Sequence, residues 1–238
     1  MSWTVLLDSL LARRPLFLIG FACLFSVGGT LTWAVLDPNR AGLSLLLAAG
    51  SLLIGCAVWI ELGKGSVKEI AMIAALGAVA AAGRVLFAVV PGVQPVTVIA
   101  MVSGAAFGSR AGAGVGAVAA LGSNFFLGQG IWTPWQMLGW AICGAVGGLL
   151  SGWIRRRISF VVLAFIMGGV FSLIMDVWEW YSFYPHTWQA LAAVVTRGVP
   201  FLLAHGVGNV LLVLIAGPEL FQMLDRYAAR IKTEVVWN

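Results

Sequence analysis

The sequence predicts an all-α integral membrane protein, a six-helix membrane core preceded by two further transmembrane helices. Three observations predict it. Of 238 residues, 61% are hydrophobic and only 10% charged, whereas a soluble domain carries roughly 25% charged residues. The mean hydropathy is +1.00, and the apolar runs consume nearly the whole chain, leaving no room for a separate soluble domain. The basic residues fall in short clusters between those runs, the pattern of topology signals. The net charge of +5 therefore carries no argument for nucleic acid.

The first expected span, residues 15–36, follows Arg13 and Arg14. It resembles a signal peptide, but its apolar stretch is some twenty residues long and no small-x-small cleavage site follows, so it reads as a retained helix. The remaining spans are expected at residues 42–62, 68–90, 96–108, 111–127, 135–154, 158–178 and 197–216. The fourth is short: at 1.5 Å per residue it rises about 20 Å, against a hydrocarbon core of about 30 Å. Charge parity keeps it separate from the fifth. Counting eight spans gathers Arg13, Arg14, Lys64, Lys68, Arg110, Arg155, Arg156, Arg157, Arg226, Arg230 and Lys232 on one side, with Arg40 and Arg197 on the other. Merging the pair would part Arg155, Arg156 and Arg157 from Arg13 and Arg14, against the positive-inside rule. Both termini are thus expected in the cytoplasm. The domains follow: an N-terminal helix pair over residues 1–67, a six-helix core over 68–217 and a cytoplasmic tail over 218–238.

Small residues recur every fourth position at Gly104, Gly108, Gly112 and Gly116, and again at Gly144, Gly148 and Gly152. Such spacing lets helix backbones approach closely in lipid. A third stripe, Ala74, Ala78 and Ala82, fits internal packing or a face turned to another subunit. Cys23, Cys56 and Cys143 are isolated in apolar runs and read as small core residues, not as a disulfide or a metal motif. The stretch "GSRAGAGVG" is no phosphate loop, because no Gly-Lys-Ser/Thr ending follows it.

With this topology the outer face is built from residues 91–95, 128–134 and a long connection over 179–195. These lack Lys and Arg and are rich in aromatic residues, including Trp132, Trp135, Trp180, Tyr181 and His186. Trp and Tyr collect at membrane interfaces whatever a protein does. Interfacial preference does not explain Asn124, Gln129 and Gln136, whose amides are costly when unpaired in lipid. Aromatic walls with a few fixed polar groups describe a pocket for an organic ligand of mixed polarity. Arg84, Asp176 and Glu179 lie at the same outer level; either Arg84 pairs with Asp176, or it forms the floor of the pocket and faces a carboxylate, phosphate or amide of the ligand. His205 and Asn209 are one turn apart on the last span and share a face. No second His or carboxylate stands at metal spacing, so no metal and no cofactor is expected.

The segment "GRVLFAVVPGVQPVTVIAMVSGAAFGSRAGAGVGAVAALGSNFFLGQGIWTPWQMLGWAICGAVGGLL" from Gly83, above all "SNFFLGQGIWTPWQM", resembles the substrate-binding S-component of energy-coupling factor (ECF) vitamin transporters. The resemblance covers the core from about residue 68 to 216 and leaves the first two spans outside. It implies capture of a vitamin from the outside and delivery inward on a transmembrane coupling subunit driven by two ATPase subunits, all in the cell membrane of a bacterium. It also implies that Ala74, Ala78 and Ala82 meet the coupling subunit. The "GQGIWTPWQM" connection looks most like the cobalamin-type branch, with riboflavin and pantothenate as alternatives. The substrate-binding residues expected on this basis are Arg84, Asn124, Gln129, Trp132, Trp135, Gln136, Asp176, Trp180, Tyr181, His205 and Asn209. No P-loop is present, so ATP hydrolysis is expected only in partners. Two rival classes are a membrane enzyme using His186, His205, Asp176 and Glu179, and a self-sufficient carrier or channel. The enzyme lacks both a His-Glu-x-x-His helix and an Asp-Asp-x-x-Asp cluster to build on.

Overall fold

The computed structural model describes the chain from Val67 to Glu234, with side chains through Arg230, and before that only Leu43, Leu47, Gly50, Ser51, Ile54 and Gly55, all helical. Apart from those six positions, the spans expected at 15–36 and 42–62 lie outside the described residues. The chain divides into two compact units, Met1–Gly65 and Ser66–Asn238.

Among the described residues, regular structure in the second unit is entirely helical. Helix α1 is Val67–Leu86 and runs into a 3-10 turn, Phe87–Val89. Then come α2 at Pro95–Phe107, α3 at Ser109–Leu127, α4 at Thr133–Leu149, the single turn α5 at Ser151–Ile154, α6 at Arg157–Phe183 and α7 at Trp188–Glu234. Among the described residues, three segments are long and apolar enough to cross a membrane: Val67–Val89, Arg157–Phe183 and Trp188–Arg230.

Local chemistry sets the breaks. Pro95 and Pro134 sit in the first turns of α2 and α4, where a missing N–H costs nothing. Gly108 and Gly128 end α2 and α3 with φ of 97° and 106°, a region other residues rarely enter.

The short α2 is tolerated because protein surrounds it. Ten of its thirteen residues are buried, and it packs against α1, α3, α4 and α7. The glycine stripes explain how α2, α3 and α4 come so close. A Cβ on Gly104 would lie 2.8 Å from the backbone N of Gly148, and one on Gly144 would lie 2.8 Å from that of Ala113. Gly116 faces the Trp140 carbonyl in the same way. Gly108 and Gly152 correct the expectation, since nothing lies within 4 Å of a Cβ at either. Gly108 serves the break between α2 and α3; Gly152 lies in α5, beyond the contact. Under the glycines, Trp140 stacks on Phe171 with ring centroids 4.2 Å apart and is fully buried.

The largest departure from expectation is α7. The span expected at 197–216 is one helix of 47 residues, and the long connection expected over 179–195 shrinks to four residues between Phe183 and Trp188. Pro200 and Pro218 lie inside the helix; the Leu214 carbonyl, four residues before Pro218, accepts from Arg157 Nη2 of α6 at 3.3 Å. The expected tail continues the helix because Phe221, Leu224 and Ala228 recur on one face and are buried.

Candidate functional site

Arg84 stands on the last turn of α1 and is only 8% exposed. In an apolar bundle such a charge must find partners, and three elements supply them. Its Nε donates to Gln94 Oε1 at 3.1 Å, on the connection into α2. Its Nη1 donates to Ser123 Oγ and to Asn124 Oδ1, both at 2.6 Å, on α3. Its Nη2 reaches Gln136 Oε1 of α4 at 3.4 Å. The guanidinium also lies over the Trp140 ring, 4.8 Å from the centroid, where the ring's negative face attracts it.

The acceptors hold one another. Asn124 Nδ2 donates to Gln136 Oε1 at 2.8 Å and to Thr133 Oγ1 at 2.9 Å. Thr133 donates in turn to Gln129 Oε1 at 2.9 Å, and the Gln129 amide donates to the Leu121 carbonyl. Ser123 is tethered to the carbonyls of Ala119 and Ala120 in its own helix. Below the Trp140 ring, its Nε1 donates to Thr97 Oγ1 at 3.1 Å, and Thr97 Oγ1 is 3.0 Å from His205 Nε2. His205 meets Phe171 edge-on. A polar chain thus runs from the α3–α4 connection through Arg84 to the middle of α7.

Of the expected binding residues, the structure brings Arg84, Asn124 and Gln136 into direct contact, joins Gln129 through Thr133, and joins His205 through Trp140 and Thr97. Asn209 donates to the Ala164 carbonyl at 3.1 Å and has no bond to this chain. Trp132 is 37% exposed, and the Trp135 Nε1 is buried without a partner. The Arg84 to Asp176 ion pair is not formed. Asp176 packs against Gly198, with Oδ2 unpartnered, and the nearby ion pair is Arg197 to Glu179 at 2.5 Å. Trp180 and Tyr181 pack with His186 at the C-terminal end of α6 and make no hydrogen bond to Arg84.

Sequence reasoning missed Gln94, Ser123, Thr133, Thr97 and Trp140. Two carried a signal: Ser123 adjoins Asn124 inside an apolar run, and Trp140 stands one turn from Gln136 on the same face. Thr97 carried none, because its partner His205 is 108 positions away.

Ala74, Ala78 and Ala82 are all exposed on α1. The last two, with Val85, Leu86, Gly122 and Phe126, line an apolar groove of about 420 Å³ between α1 and α3. A second cavity, of about 430 Å³, lies towards the start of α1 among Glu69, Met72, Phe107 and Ser151, away from Arg84.

Residues 64–229 match a family described as one of unknown function, DUF6580. The chain belongs to the DUF6580 family. The match takes in α1 through most of α7, so the Arg84 network lies wholly within the DUF6580 region, and the N-terminal unit lies almost wholly outside it. No curated protein and no solved structure matches the chain.

Proposed function

We propose that this DUF6580 protein is the substrate-capture subunit of an ECF-type importer. It binds a vitamin, with cobalamin favoured over riboflavin and pantothenate, and passes it inward with a coupling subunit and two ATPase subunits. The protein crosses the bacterial cell membrane eight times with both termini in the cytoplasm. The observation that carries the reading is the buried Arg84 network, in which Gln94, Ser123, Asn124 and Gln136 converge on one cation. Polar groups are expensive inside an apolar bundle and mark ligand or ion pathways there. The connection between α3 and α4 and the first turn of α4 bring Gln129, Trp132, Trp135 and Gln136 to the edge of that network, an aromatic and amide surface suited to a flat organic ligand. The exposed Ala74, Ala78 and Ala82 stripe supports docking, since small side chains let a partner helix approach closely.

Uptake of radiolabelled cobalamin, riboflavin and pantothenate in a host lacking its own importers tests the proposal. Accumulation of one vitamin is expected when the chain is expressed with an ECF coupling subunit and its ATPases, and none with the chain alone. Uptake by the chain alone would make it a self-sufficient carrier. Chemical conversion of the vitamin by the purified chain, lost on changing His186 or His205, would make it an enzyme.

A further inference from the structure

We infer that the ligand captured here carries an anionic oxygen group, a carboxylate or a phosphate ester, which Arg84 engages as the amide of Gln136 gives way; the inference rests on the capture reading above. Arg84 is a full charge, 8% exposed, with no carboxylate within ion-pair distance among the described residues. Its four acceptors are all neutral. A cage built only to hold the fold would neutralise a buried cation with an acid, because uncompensated buried charge is costly. The two acids nearest in kind are spent or turned elsewhere: Glu179 takes Arg197, and Asp176 packs on Gly198.

The geometry also says which edge is open. A guanidinium has five N–H donors. Nε and the two Nη1 hydrogens are taken at 2.6 to 3.1 Å by Gln94, Ser123 and Asn124. Nη2 has only the 3.4 Å contact to Gln136 Oε1, an oxygen that already accepts from Asn124 at 2.8 Å. Among the described residues one Nη2 hydrogen has no acceptor, and its neighbour has a weak one. Ser123 and Asn124 are buried to 1% exposure or less, whereas Gln94 and Gln136 are half-buried, so the Nε and Nη2 edges lie nearer the surface and, of the two, only Nη2 is loosely held. Turning the Gln136 amide would expose Nη2 and offer the Gln136 N–H groups to the same oxygen. Trp135, whose Nε1 has no partner among the described residues, stands one position before Gln136 in the first turn of α4. A neutral acceptor such as a ligand amide would fill the hydrogen bond but leave the charge uncompensated. A carboxylate or phosphate does both, because its charge compensates the guanidinium as its oxygen accepts the hydrogen bond.

The test uses the purified full chain in neutral detergent and its own tryptophan fluorescence, corrected for ligand absorbance. It is titrated with three pairs that differ in the anion: pantothenate and panthenol, riboflavin 5′-phosphate and riboflavin, cobinamide phosphate and cobinamide. The expected result is saturable quenching by one anionic member, with its partner lacking that anion weaker by on the order of 10- to 100-fold. Arg84→Gln should erase that preference and Arg84→Lys retain part of it. The wild-type comparison decides the matter even where Arg84→Gln fails to fold. Equal binding of both members of the responding pair overturns the inference and leaves the capture reading standing. No response to any pair overturns the capture reading and the inference with it. Quenching by phosphatidylglycerol micelles alone overturns the inference by assigning the cation to a lipid headgroup.

Discussion

Replacing Gly144 with alanine adds one methyl group where α3 and α4 meet backbone to backbone. The added carbon would lie 2.8 Å from the Ala113 nitrogen and closer still to the Gly112 carbonyl oxygen. Neither obstacle is a flexible side chain, so relief requires α3 and α4 to separate, and this is the most extensive helix pairing in the bundle. Overpacking of this kind costs about 1–3 kcal/mol, and with backbone on both sides the upper half of that range applies. At ~2–4 °C per kcal/mol for a chain of this size, the melting temperature should fall by ~4–12 °C. Gly152→Ala is the control, because nothing lies within 4 Å of its added carbon and alanine is the better helix former by up to ~1 kcal/mol. Thermal unfolding in detergent, followed by size-exclusion chromatography of heated samples, reads both. Gly144→Ala as stable as the wild type, or Gly152→Ala equally damaged, would refute the close-contact reasoning.

Thr97→Val keeps side-chain shape but removes the partner of both Trp140 Nε1 and His205 Nε2. Each orphaned buried group costs about 1–3 kcal/mol, and the same melting assay should show the loss. Trp132→Ala should weaken ligand binding without loss of fold, since its ring is already 37% exposed; Gln136→Ala should weaken binding and also loosen Asn124. Fluorescence titration measures both, and wild-type affinity in both variants would remove the α3–α4 connection from the site. Ala78→Leu fills the apolar groove between α1 and α3, so co-purification with a coupling subunit should fail while ligand binding persists; intact assembly would return the alanine stripe to a lipid-facing role.

Helix content was legible in the sequence because long apolar runs leave little choice of structure, and the breaks at Pro95, Gly108 and Gly128 were readable from residue type. The extent of α7 was not. The expected span at 197–216 already runs through Pro200, but it stops before Pro218, and only the packing of Phe221, Leu224 and Ala228 into the core reveals that the helix continues past that residue. At the site, Asn124 and Gln136 stood out because amides are rare in apolar runs. Their common partner did not stand out, because Arg84 has an equally plausible acid at the same level in Asp176. The choice between them depends on how α1, α3 and α4 rotate about their axes, which the backbone contacts at Gly112, Gly116 and Gly144 set and linear spacing does not encode.

The order of the Arg84 cage along the chain bears on how the protein is made. Every acceptor lies downstream of Arg84, the last of them, Gln136, 52 positions later. At roughly 5–20 residues per second of synthesis, the guanidinium leaves the ribosome ~3–10 s before its final partner exists. During that interval α1 carries an uncaged cation, and its place two residues from the end of the helix lets the side chain reach past that end towards water. The cage closes only once α3 and α4 have packed beside it, so α1 forms early but acquires its last partner late, and a nascent chain stalled before Gln136 should leave Arg84 without it.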